Sequence, residues 1–409
     1  MACETMSHPG YISRSPSGLR VLRYESIHEI DETLWDSINS DQDLFHTHRF
    51  LRSLENAKIE DSRFWYLLVY EGDTPAGAAA LSVLTVALDF LMDGFPKQLV
   101  RRVGKYFPHF LRVKILFCGL PISIGKHSLA WPDTARRAEM VDRVVMEMTA
   151  LSRRHGIRFL CFKEFSQEDT AWLDRLLRHG FIRATSLPYM RLTLRWKTFP
   201  SYLGAMRHSY RRHILLSLRK LGLSEPRIHE AATIDEIPRQ PALVLLGPAL
   251  CARFQLYDLY ANVMERAAVK VETLSPAFFE QLFHHMRDDL QLLAFVDGSE
   301  VRAAAMLSLE QDTMTFLLAG LADSGMDTHD AYRNLLYGIV ALAIQRGCTR
   351  LDLGQAATWV KQCIGGQGAP LFFYLRSEHR VFNFLLGAFR RWLFPEATLP
   401  SVRVFRRHA

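Results

Sequence analysis

The feature that most limits how this chain can fold is an internal repeat. The segments LLVYEGDTPAGAAALSVL (67–84) and LLAFVDGSEVRAAAMLSL (292–309) share a Leu-Leu pair, an acid-Gly turn, an Ala triplet and a Leu-Ser pair. Each segment has an apolar stretch, a tight turn and a second stretch of small apolar residues, which is typical of a β-hairpin. The repeat therefore predicts two copies of one folding unit, and a length of 409 residues already favours two domains.

Each hairpin is followed by a long amphipathic segment and then by a short apolar one. The segments EMVDRVVMEMTALSRRHGIRFLCF (139–162) and AYRNLLYGIVALAIQRGCTRLDLG (331–354) both place apolar residues at helical spacing and have a Gly where the helix should end. Each short strand is expected to lie beside its hairpin, with the helix packed on the sheet. We predict an α/β (α+β) architecture with two mixed, mostly antiparallel sheets, each flanked by helices.

These segments suggest a division of the chain into four parts. Polar, turn-rich residues 1–18 are expected to be a disordered N-terminal segment. A first domain spans 19–197 and contains a basic insertion near 85–118. A basic connecting helix at 198–224 then leads to a second domain at 225–409.

Positive charge is concentrated in two short segments. The net charge is +7, and residues 95–114 and 195–220 contain six and seven Lys or Arg residues, respectively, without an acid. Such focused charge favours binding of phosphates, RNA or an anionic surface, although a solvated basic helix face has the same composition. Scattered cysteines without paired spacing argue against a structural metal site or a disulfide framework and suit a cytoplasmic protein.

The order of the elements resembles the GNAT acyltransferase superfamily, and two such units in one chain resemble the Fem-like (FemABX-like) tandem-GNAT proteins. The resemblance rests on YLGAMRHSYRRHILLSLRKLG (202–222), on AYRNLLYGIVALAIQRGCTRLDLGQ (331–355) and on a G-x6-K-x3-GG pattern at Gly354–Gly366. It implies an N-acyltransferase that forms an amide bond between an activated acyl or aminoacyl group and an amine acceptor.

The resemblance implies three possible donors, namely acyl-CoA, an acyl-carrier protein or an aminoacyl-tRNA, and no tightly bound cofactor or metal. The loop that would hold the CoA pyrophosphate is LADSGMDTHD (321–330) in the second half, and its three Asp residues would repel a diphosphate. The first-half counterpart, GLPISIGKHSLAWPD (119–133), offers Gly119, Gly125 and Lys126. This difference favours a donor carried on RNA or a carrier protein and leaves acyl-CoA open.

The candidate catalytic residues are Lys361, Glu164 and Asp352. Lys361 follows the strand that ends at Gly354 and would anchor an anionic group, although it could also be a solvated surface lysine. Glu164 and Asp352 lie near the ends of matching strands and would accept the proton of the amine, although such carboxylates are often helix caps. The backbone amide that stabilises the oxyanion is expected within Thr313–Gly320.

Half of the predicted substrate-binding residues lie on one helix at 199–221. Arg207, Arg211 and Arg212 lie off its apolar stripe and would hold phosphates, with Tyr210 nearby. Further candidates for binding the substrates are Gln355, Tyr332, Arg333 and Lys126. Glu164 is aligned with Gln355 when the two halves are compared.

Two other interpretations remain open from the sequence. The chain could be a non-catalytic protein that binds nucleic acid or an anionic membrane on GNAT scaffolds. It could also be a partner in cell-envelope biosynthesis that contacts the membrane peripherally through the basic, aromatic residues 95–114. No apolar run is long enough to suggest a transmembrane segment.

Overall fold

The computed structural model forms two compact units, each assembled from discontinuous parts of the chain. Unit 1 comprises Met1–Leu187, Val269–Phe278 and Pro370–Ala397, and unit 2 comprises Pro188–Ala268, Phe279–Ala369 and Thr398–Ala409. The structure describes residues 11–14, 18–39, 43–87, 112–131, 136–251, 254, 256–266, 273–298, 300–322, 330–396 and 399–406.

Unit 1 contains a nine-stranded sheet. Its strands are β1 (Tyr11–Arg14), β2 (Leu19–Tyr24), β3 (Arg63–Glu71), β4 (Thr74–Ala87), β5 (Arg112–Cys118), β6 (Leu129–Ala130), β7 (Phe159–Phe165), β8 (Ile182–Thr185) and β17 (Phe372–Ser377). They follow the order β1-β2-β3-β4-β5-β7-β17-β8, with β6 paired to β4. Of these pairs, β5–β7 is parallel and the others are antiparallel.

The helices of unit 1 pack around this sheet. They are α1 (Glu32–Ile38), α2 (His48–Asn56), α3 (Arg137–His155), α4 (Thr170–Leu173), α12 (Arg380–Ala388) and α13 (Arg390–Leu393). The predicted stripe on α3 is buried in the core, where Met140, Val144 and Met148 meet the sheet. Helix α3 ends at Gly156, which has a φ of 65° and so supplies the left-handed residue of a helix C-terminus.

Unit 2 contains an eight-stranded sheet. Its strands are β9 (Tyr189–Thr193), β10 (Ile228–Ala231), β11 (Ala242–Leu246), β12 (Leu290–Asp297), β13 (Glu300–Glu310), β14 (Thr313–Leu321), β15 (Arg350–Gly354) and β16 (Gln367–Ala369). They follow the order β10-β11-β12-β13-β14-β15-β9-β16. The pairs β10–β11 and β14–β15 are parallel, and the remaining pairs are antiparallel.

The helices of unit 2 are α5 (Phe199–Ala205), α6 (His208–Arg219), α7 (Pro248–Cys251), α8 (Leu256–Arg266), α10 (Ala331–Gln345) and α11 (Thr358–Cys363). Helix α9 (Pro276–Met286) spans a boundary between the ranges of the two units. Helix α10 lies at the centre of the unit 2 core, and nearly all its apolar side chains are buried. Both predicted hairpins are present as β3–β4 and β12–β13. The predicted fold class, two mixed, mostly antiparallel sheets flanked by helices, is confirmed.

The compact units divide the chain differently from the predicted boundaries at 19–197 and 225–409. Strand β9 lies in the predicted first domain but pairs with β15 and β16 in the sheet of unit 2. Strand β17 lies in the predicted second domain but pairs with β7 and β8 in the sheet of unit 1. The sequence pattern of a strand does not indicate which other strand it pairs with, because strand pairing joins residues that are far apart in the chain.

Two other predicted parts are described only in part. The segment 1–18, expected to be disordered, includes β1, which pairs with β2 in antiparallel orientation. The basic insertion near 85–118 is described at its ends by β4 and β5, and residues 88–111 lie outside the described residues. The membrane contact predicted for 95–114 therefore falls almost entirely outside them.

The predicted helix at 199–221 is two helices, α5 and α6, rather than one. Between them Met206 is extended and forms an antiparallel bridge with Phe405. The N–H of Arg207 donates to the carbonyl of Val404 at 2.8 Å. Both helices contribute to the unit 2 core. The segment is therefore an integral part of unit 2, because the extended residues dock on the C-terminal end of the chain.

The contribution of β17 to the sheet of unit 1 can be tested at Tyr374. Tyr374 is fully buried, and its hydroxyl donates to Asp174 Oδ1 at 2.8 Å. We expect Tyr374→Ala to lower the free energy of unfolding by about 3–5 kcal/mol, because it leaves a large cavity in the core of unit 1. Urea denaturation followed by circular dichroism measures this loss.

The matched control is Phe384→Ala, which removes an aromatic side chain of α12 that is 73% exposed. We expect a change within about 0.5 kcal/mol for this variant. Equal stability of the Tyr374 variant and the wild type would show that β17 does not contribute to the sheet of unit 1.

Candidate functional site

The candidate site lies in unit 2, where the parallel strands β14 and β15 stop pairing. Their ladder ends at Thr315 and Asp352. Just beyond this point β14 has a bulge against β13, and Leu317 is the extra residue between Phe316 and Leu318. A bulge removes backbone groups from the regular ladder. The backbone near Leu317 is therefore freed from the ladder at the point where the two strands separate.

Gly354 ends β15 and turns the chain away from the sheet. Its φ of 73° lies in the left-handed region that favours glycine. A Cβ atom on Gly354 would lie 3.7 Å from the carbonyl oxygen of Phe316 and 4.0 Å from Lys361 Nζ. The turn at Gly354 therefore places the end of β15 against both the bulged strand and Lys361.

The two glycines after α11 complete the G-x6-K-x3-GG pattern. Gly365 has a φ of 97°, and its N–H donates to the carbonyl of Gln362 at 2.9 Å. The N–H of Gly366 donates to the carbonyl of Lys361 at 2.9 Å, and a Cβ atom on Gly366 would lie only 2.7 Å from that oxygen. The glycine pair is therefore needed for the tight end of α11, the helix that carries Lys361.

Lys361 is deeply buried and lacks a counter-charge among the described residues. The residue is 3% exposed, and its Nζ lies 5.2 Å from the centre of the Phe316 ring. Within the described ranges its ammonium group forms no ion pair and no hydrogen bond. Burial lowers the pKa of Lys361 to about 7. Its burial excludes the solvated surface lysine that the sequence left open.

Asp352 is also buried, but its carboxylate is already paired. Arg191 Nε and Arg350 Nε lie 3.3 and 3.5 Å from Asp352 Oδ1. Its neighbours Leu351 and Leu353 belong to the hydrophobic core, and alternation along the strand directs Asp352 to the opposite face of the sheet. Its carboxylate is thus balanced by two guanidinium groups.

Glu164 lies in unit 1 at the position that corresponds to Gly354 in unit 2. Each residue follows the last parallel pair of its strand by two positions, since those pairs end at Phe162 in β7 and Asp352 in β15. Glu164 has a φ of 66°, close to that of Gly354. The structural match is therefore with Gly354, not with Gln355, because the shared turn conformation defines the register.

The environment of Glu164 is a loop of unit 1. The residue is 5% exposed, and burial raises the pKa of its carboxyl group. The charge of Lys163, the backbone N–H groups of Gly125 and Ile124 and the Ser123 hydroxyl have the opposite effect and lower this pKa. Among the described residues, neither carboxylate oxygen of Glu164 has a well-formed hydrogen bond. A left-handed Glu costs on the order of 1 kcal/mol or more. This position orients its carboxylate towards the loop donors.

The predicted phosphate ligand Lys126 lies in the same loop region. Its Nζ is 2.9 Å from Asp43 Oδ2 and 4.9 Å from the centre of the Phe45 ring. The pKa of Asp43 is lowered by His46 and Lys126, against the opposing effect of burial. Lys126 therefore already has a carboxylate partner.

The predicted arginines lie on α6 in unit 2. Arg207 precedes the first turn and is exposed, Arg211 is half-buried and Arg212 is exposed. None of the three pairs with an acid in the part of the chain that the structure describes. Tyr210 packs against the unit 2 core. The α6 arginines thus form a basic surface whose charge is not balanced locally.

Helix α6 lies against the beginning of α10, where Tyr332 and Arg333 are placed. The Ser217 hydroxyl lies 3.2 Å from Asn334 Oδ1 and links the two helices. Burial raises the pKa of Tyr332 to about 12. Arg333 and Lys220 both contact Asp330, at 3.9 and 3.0 Å. Tyr332 is thus an apolar neighbour of the core, while Arg333 shares an acid with α6.

The sequence identified some of this site and missed other parts. Phe316 was not singled out, and nothing in the pattern TMTFLLAG distinguishes it from its neighbours. The bulge at Leu317 does lie within Thr313–Gly320, where the backbone donor was expected. Gln355 follows Gly354 and is half-buried. The loop LADSGMDTHD is described only at residues 321, 322 and 330.

No group of three or more His, Cys, Asp or Glu side chains within the described ranges is arranged to hold a metal ion. Among the helices that the structure describes, none is long and apolar enough to cross a membrane.

The buried ammonium group of Lys361 should lower the stability of the protein in a pH-dependent way. We expect Lys361→Met to raise the free energy of unfolding, by up to about 3–5 kcal/mol at pH 6, because it removes a desolvated charge. The pKa of Lys361 falls from 10.5 to about 7 on folding, so wild-type stability rises with pH between these values. The gain from methionine is therefore largest below pH 7 and fades towards pH 10.5.

Urea denaturation at several pH values measures this dependence. The control is Lys220→Met, since Lys220 is half-exposed and paired with Asp330. A gain from Lys361→Met that did not vary with pH would contradict a depressed lysine pKa.

Part of the chain is similar to a known protein family. Residues 206–362 match the family model described as "Acetyltransferase (GNAT) domain". This range includes α6, β14, β15 and Lys361. No curated protein matches the whole sequence significantly.

Solved structures match most of the chain. FemX aligns with 86% of this chain and 96% of its own, at 10% identity and a TM-score of 0.52. A tandem GNAT protein from the clavulanic acid biosynthesis pathway aligns with 88% of this chain and 98% of its own, at 13% identity and a TM-score of 0.49. The match to FemX is a likeness of fold. Residues 206–362 are therefore similar to a GNAT acetyltransferase domain, and the fold of the chain is similar to that of FemX.

Proposed function

We propose that the protein is an N-acyltransferase that joins an activated acyl or aminoacyl group to an amine. The observation that carries this proposal is the buried ammonium of Lys361, which has no ion pair within the described residues and lies where β14 and β15 separate. An uncompensated buried lysine weakens the fold, so its presence favours a catalytic role over a structural one. The site also lies within the residues that match the GNAT domain.

The reaction requires a neutral amine, a proton acceptor and a donor for the developing oxyanion. The amine nitrogen attacks the acyl carbonyl carbon, and a C–N bond forms while the carbonyl oxygen becomes negatively charged. Collapse of this intermediate breaks the bond to the leaving sulfur or oxygen. The proton lost by the amine passes to the base and then to the leaving group.

Residues of unit 2 provide the oxyanion donor and the proton acceptor for this reaction. A backbone N–H near Leu317, outside the regular ladder, donates to the oxyanion. Neutral Lys361 accepts the proton, since a lysine with a pKa of about 7 is partly unprotonated at neutral pH. Asp352 is less suited to this step because two arginines hold its carboxylate. Glu164 belongs to the other compact unit, and we assign it a role in holding the unit 1 loop.

The α6 arginines bind the carrier of the acyl group. Arg207 and Arg211 are one helical turn apart and can contact the same phosphate. Acyl-CoA, an acyl-carrier protein and an aminoacyl-tRNA all present phosphates to such a surface. Mass spectrometry of small molecules and RNA extracted from the purified protein distinguishes these donors. Recovery of CoA, of a carrier protein's phosphopantetheine group or of charged tRNA identifies the class.

Substitutions separate the chemical step from donor binding. We expect Lys361→Ala to lower kcat about 100-fold or more, since a positioned acid–base group contributes about 10²–10⁴-fold. We expect Arg211→Ala to raise the donor KM about tenfold with little change in kcat, because it removes a phosphate contact. Steady-state assays with each donor class measure both effects.

The control for Arg211→Ala is Arg219→Ala, since Arg219 is an exposed arginine on the same helix and has no ion pair within the described residues. Unchanged turnover in both the Lys361 and Arg211 variants would show that the assigned site is wrong. Salt-dependent RNA or liposome binding without any transfer product would instead support a non-catalytic binding protein.

The pH dependence of the reaction tests the protonation state of Lys361. If neutral Lys361 is the base, log kcat should rise with pH and level off above an apparent pKa of about 7. Lys361→Ala should lose this rise while keeping the far-UV circular dichroism of the wild type. A rate that falls above pH 7 would show that the ammonium form of Lys361 is the active one.

A further inference from the structure

Unit 1 carries an exposed apolar surface at the end of the chain that the transfer reaction does not use. Twelve large apolar side chains are exposed in the described residues, and half of them lie between Val381 and Trp392. We call these six residues the C-terminal patch: Val381, Phe382, Phe384, Leu385, Phe389 and Trp392. Clusters of exposed apolar side chains on one surface mark interaction sites, whereas scattered ones do not.

The other face of the same segment holds the patch in a fixed place. Leu386 and Phe394 pack against a hydrophobic cluster on the sheet of unit 1. Asn383 Nδ2 donates to the carbonyl of Gly180 at 2.9 Å, and the N–H of Ser377 donates to Asn383 Oδ1 at 2.9 Å. The exposed aromatic side chains are therefore not the result of a loosely attached tail.

Positive charge surrounds the C-terminal patch. Arg380, Arg390 and Arg391 are all exposed, and residues 379–394 contain no Asp or Glu. None of the three arginines forms an ion pair within the described part of the chain. The surface thus combines aromatic and aliphatic side chains with unbalanced cations on one short helical segment.

We propose that the C-terminal patch docks unit 1 onto an anionic lipid bilayer. Helices that lie in a membrane interface bury Phe, Trp and Leu among the acyl chains and place Arg against anionic headgroups. In that environment the apolar side chains of the patch contact acyl chains and the neighbouring arginines contact headgroups. The proposal adds a binding surface to the chain and does not depend on the reaction assigned to Lys361.

Two other occupants fit the patch less well. In an isologous dimer a second copy would bring its own Arg380, Arg390 and Arg391 to the same interface, where like charges repel. A nucleic acid would satisfy the arginines and could stack on the aromatic rings. It would leave Val381 and Leu385 without an apolar partner. An anionic bilayer meets both the charge and the apolar requirement.

The proposal is tested by flotation of the full-length protein with vesicles. We expect binding to vesicles of phosphatidylcholine with 30% phosphatidylglycerol (on the order of physiological anionic surfaces) and little binding to phosphatidylcholine alone. Phe384→Ser combined with Trp392→Ser should abolish flotation. Neutralising the three arginines to Gln should weaken it about 100-fold, since each basic residue near such a surface contributes about fivefold.

Matched controls come from the same unit. Met146→Ser with Leu177→Ser removes two other exposed apolar side chains, and Arg153, Arg154 and Arg178 changed to Gln remove three other exposed arginines. Both controls should float like the wild type. Equal binding to both vesicle types would overturn the proposal, as would loss of flotation in the controls. Flotation abolished by Arg101, Arg102 and Lys105 changed to Gln, but not by the patch variants, would overturn it too.

A second measurement locates the contact directly. Lipids brominated in the acyl chains should quench the fluorescence of Trp392, and Trp392→Phe should remove most of that quenching while retaining flotation. Quenching that persisted in the Phe variant would place the contact elsewhere. A wild-type dimer that Phe384→Ser with Trp392→Ser converts to monomer, without any lipid binding, would assign the patch to self-association instead.

Discussion

The separation of two parallel strands determines the arrangement of unit 2 around Lys361. Once β14 and β15 stop pairing at Thr315 and Asp352, backbone groups beyond that point need other partners. The bulge at Leu317 and the left-handed turn at Gly354 direct the two strands apart. Helix α11 follows that turn and places Lys361 between them. The end of the parallel β14–β15 ladder and the bulge in the antiparallel β13–β14 ladder thus lie close together along β14. We propose that they provide the backbone donor beside the buried amine.

The two units use this shared geometry differently. Unit 1 has the same parallel pair, β5–β7, and the same left-handed position, but occupies it with Glu164 in place of glycine. Its β4–β5 ladder is regular over residues 81–87 and 112–118, whereas β13–β14 is bulged. We therefore propose the reaction site in unit 2, while unit 1 contains the loop near Glu164 and the exposed C-terminal patch.

The energetics of Lys361 distinguish it from buried charged residues that lie beside an opposite charge. Asp352 is buried with two arginines, and the pair Arg23–Glu147 is buried together at 3.4 Å. Buried charges that are paired in this way are compatible with a purely structural role. Among the described residues, Lys361 has the face of Phe316 near its ammonium group but no opposite charge, and the loss of its own proton also reduces the cost of desolvation. That imbalance is the main physical reason to assign the chemistry to it.

The sequence by itself determined the local elements of this protein. The hairpins at 67–84 and 292–309, the helices after them and the glycines that end them follow from short-range periodicity and backbone preference, as does the G-x6-K-x3-GG pattern. Only the tertiary structure decided that β9 joins the sheet of unit 2 and β17 the sheet of unit 1. It also decided that the helix expected at 199–221 is interrupted at Met206 and that Lys361 is buried against Phe316. Each of these features depends on contacts between residues far apart in the chain. The stabilisation from such contacts cannot be inferred from a local sequence pattern.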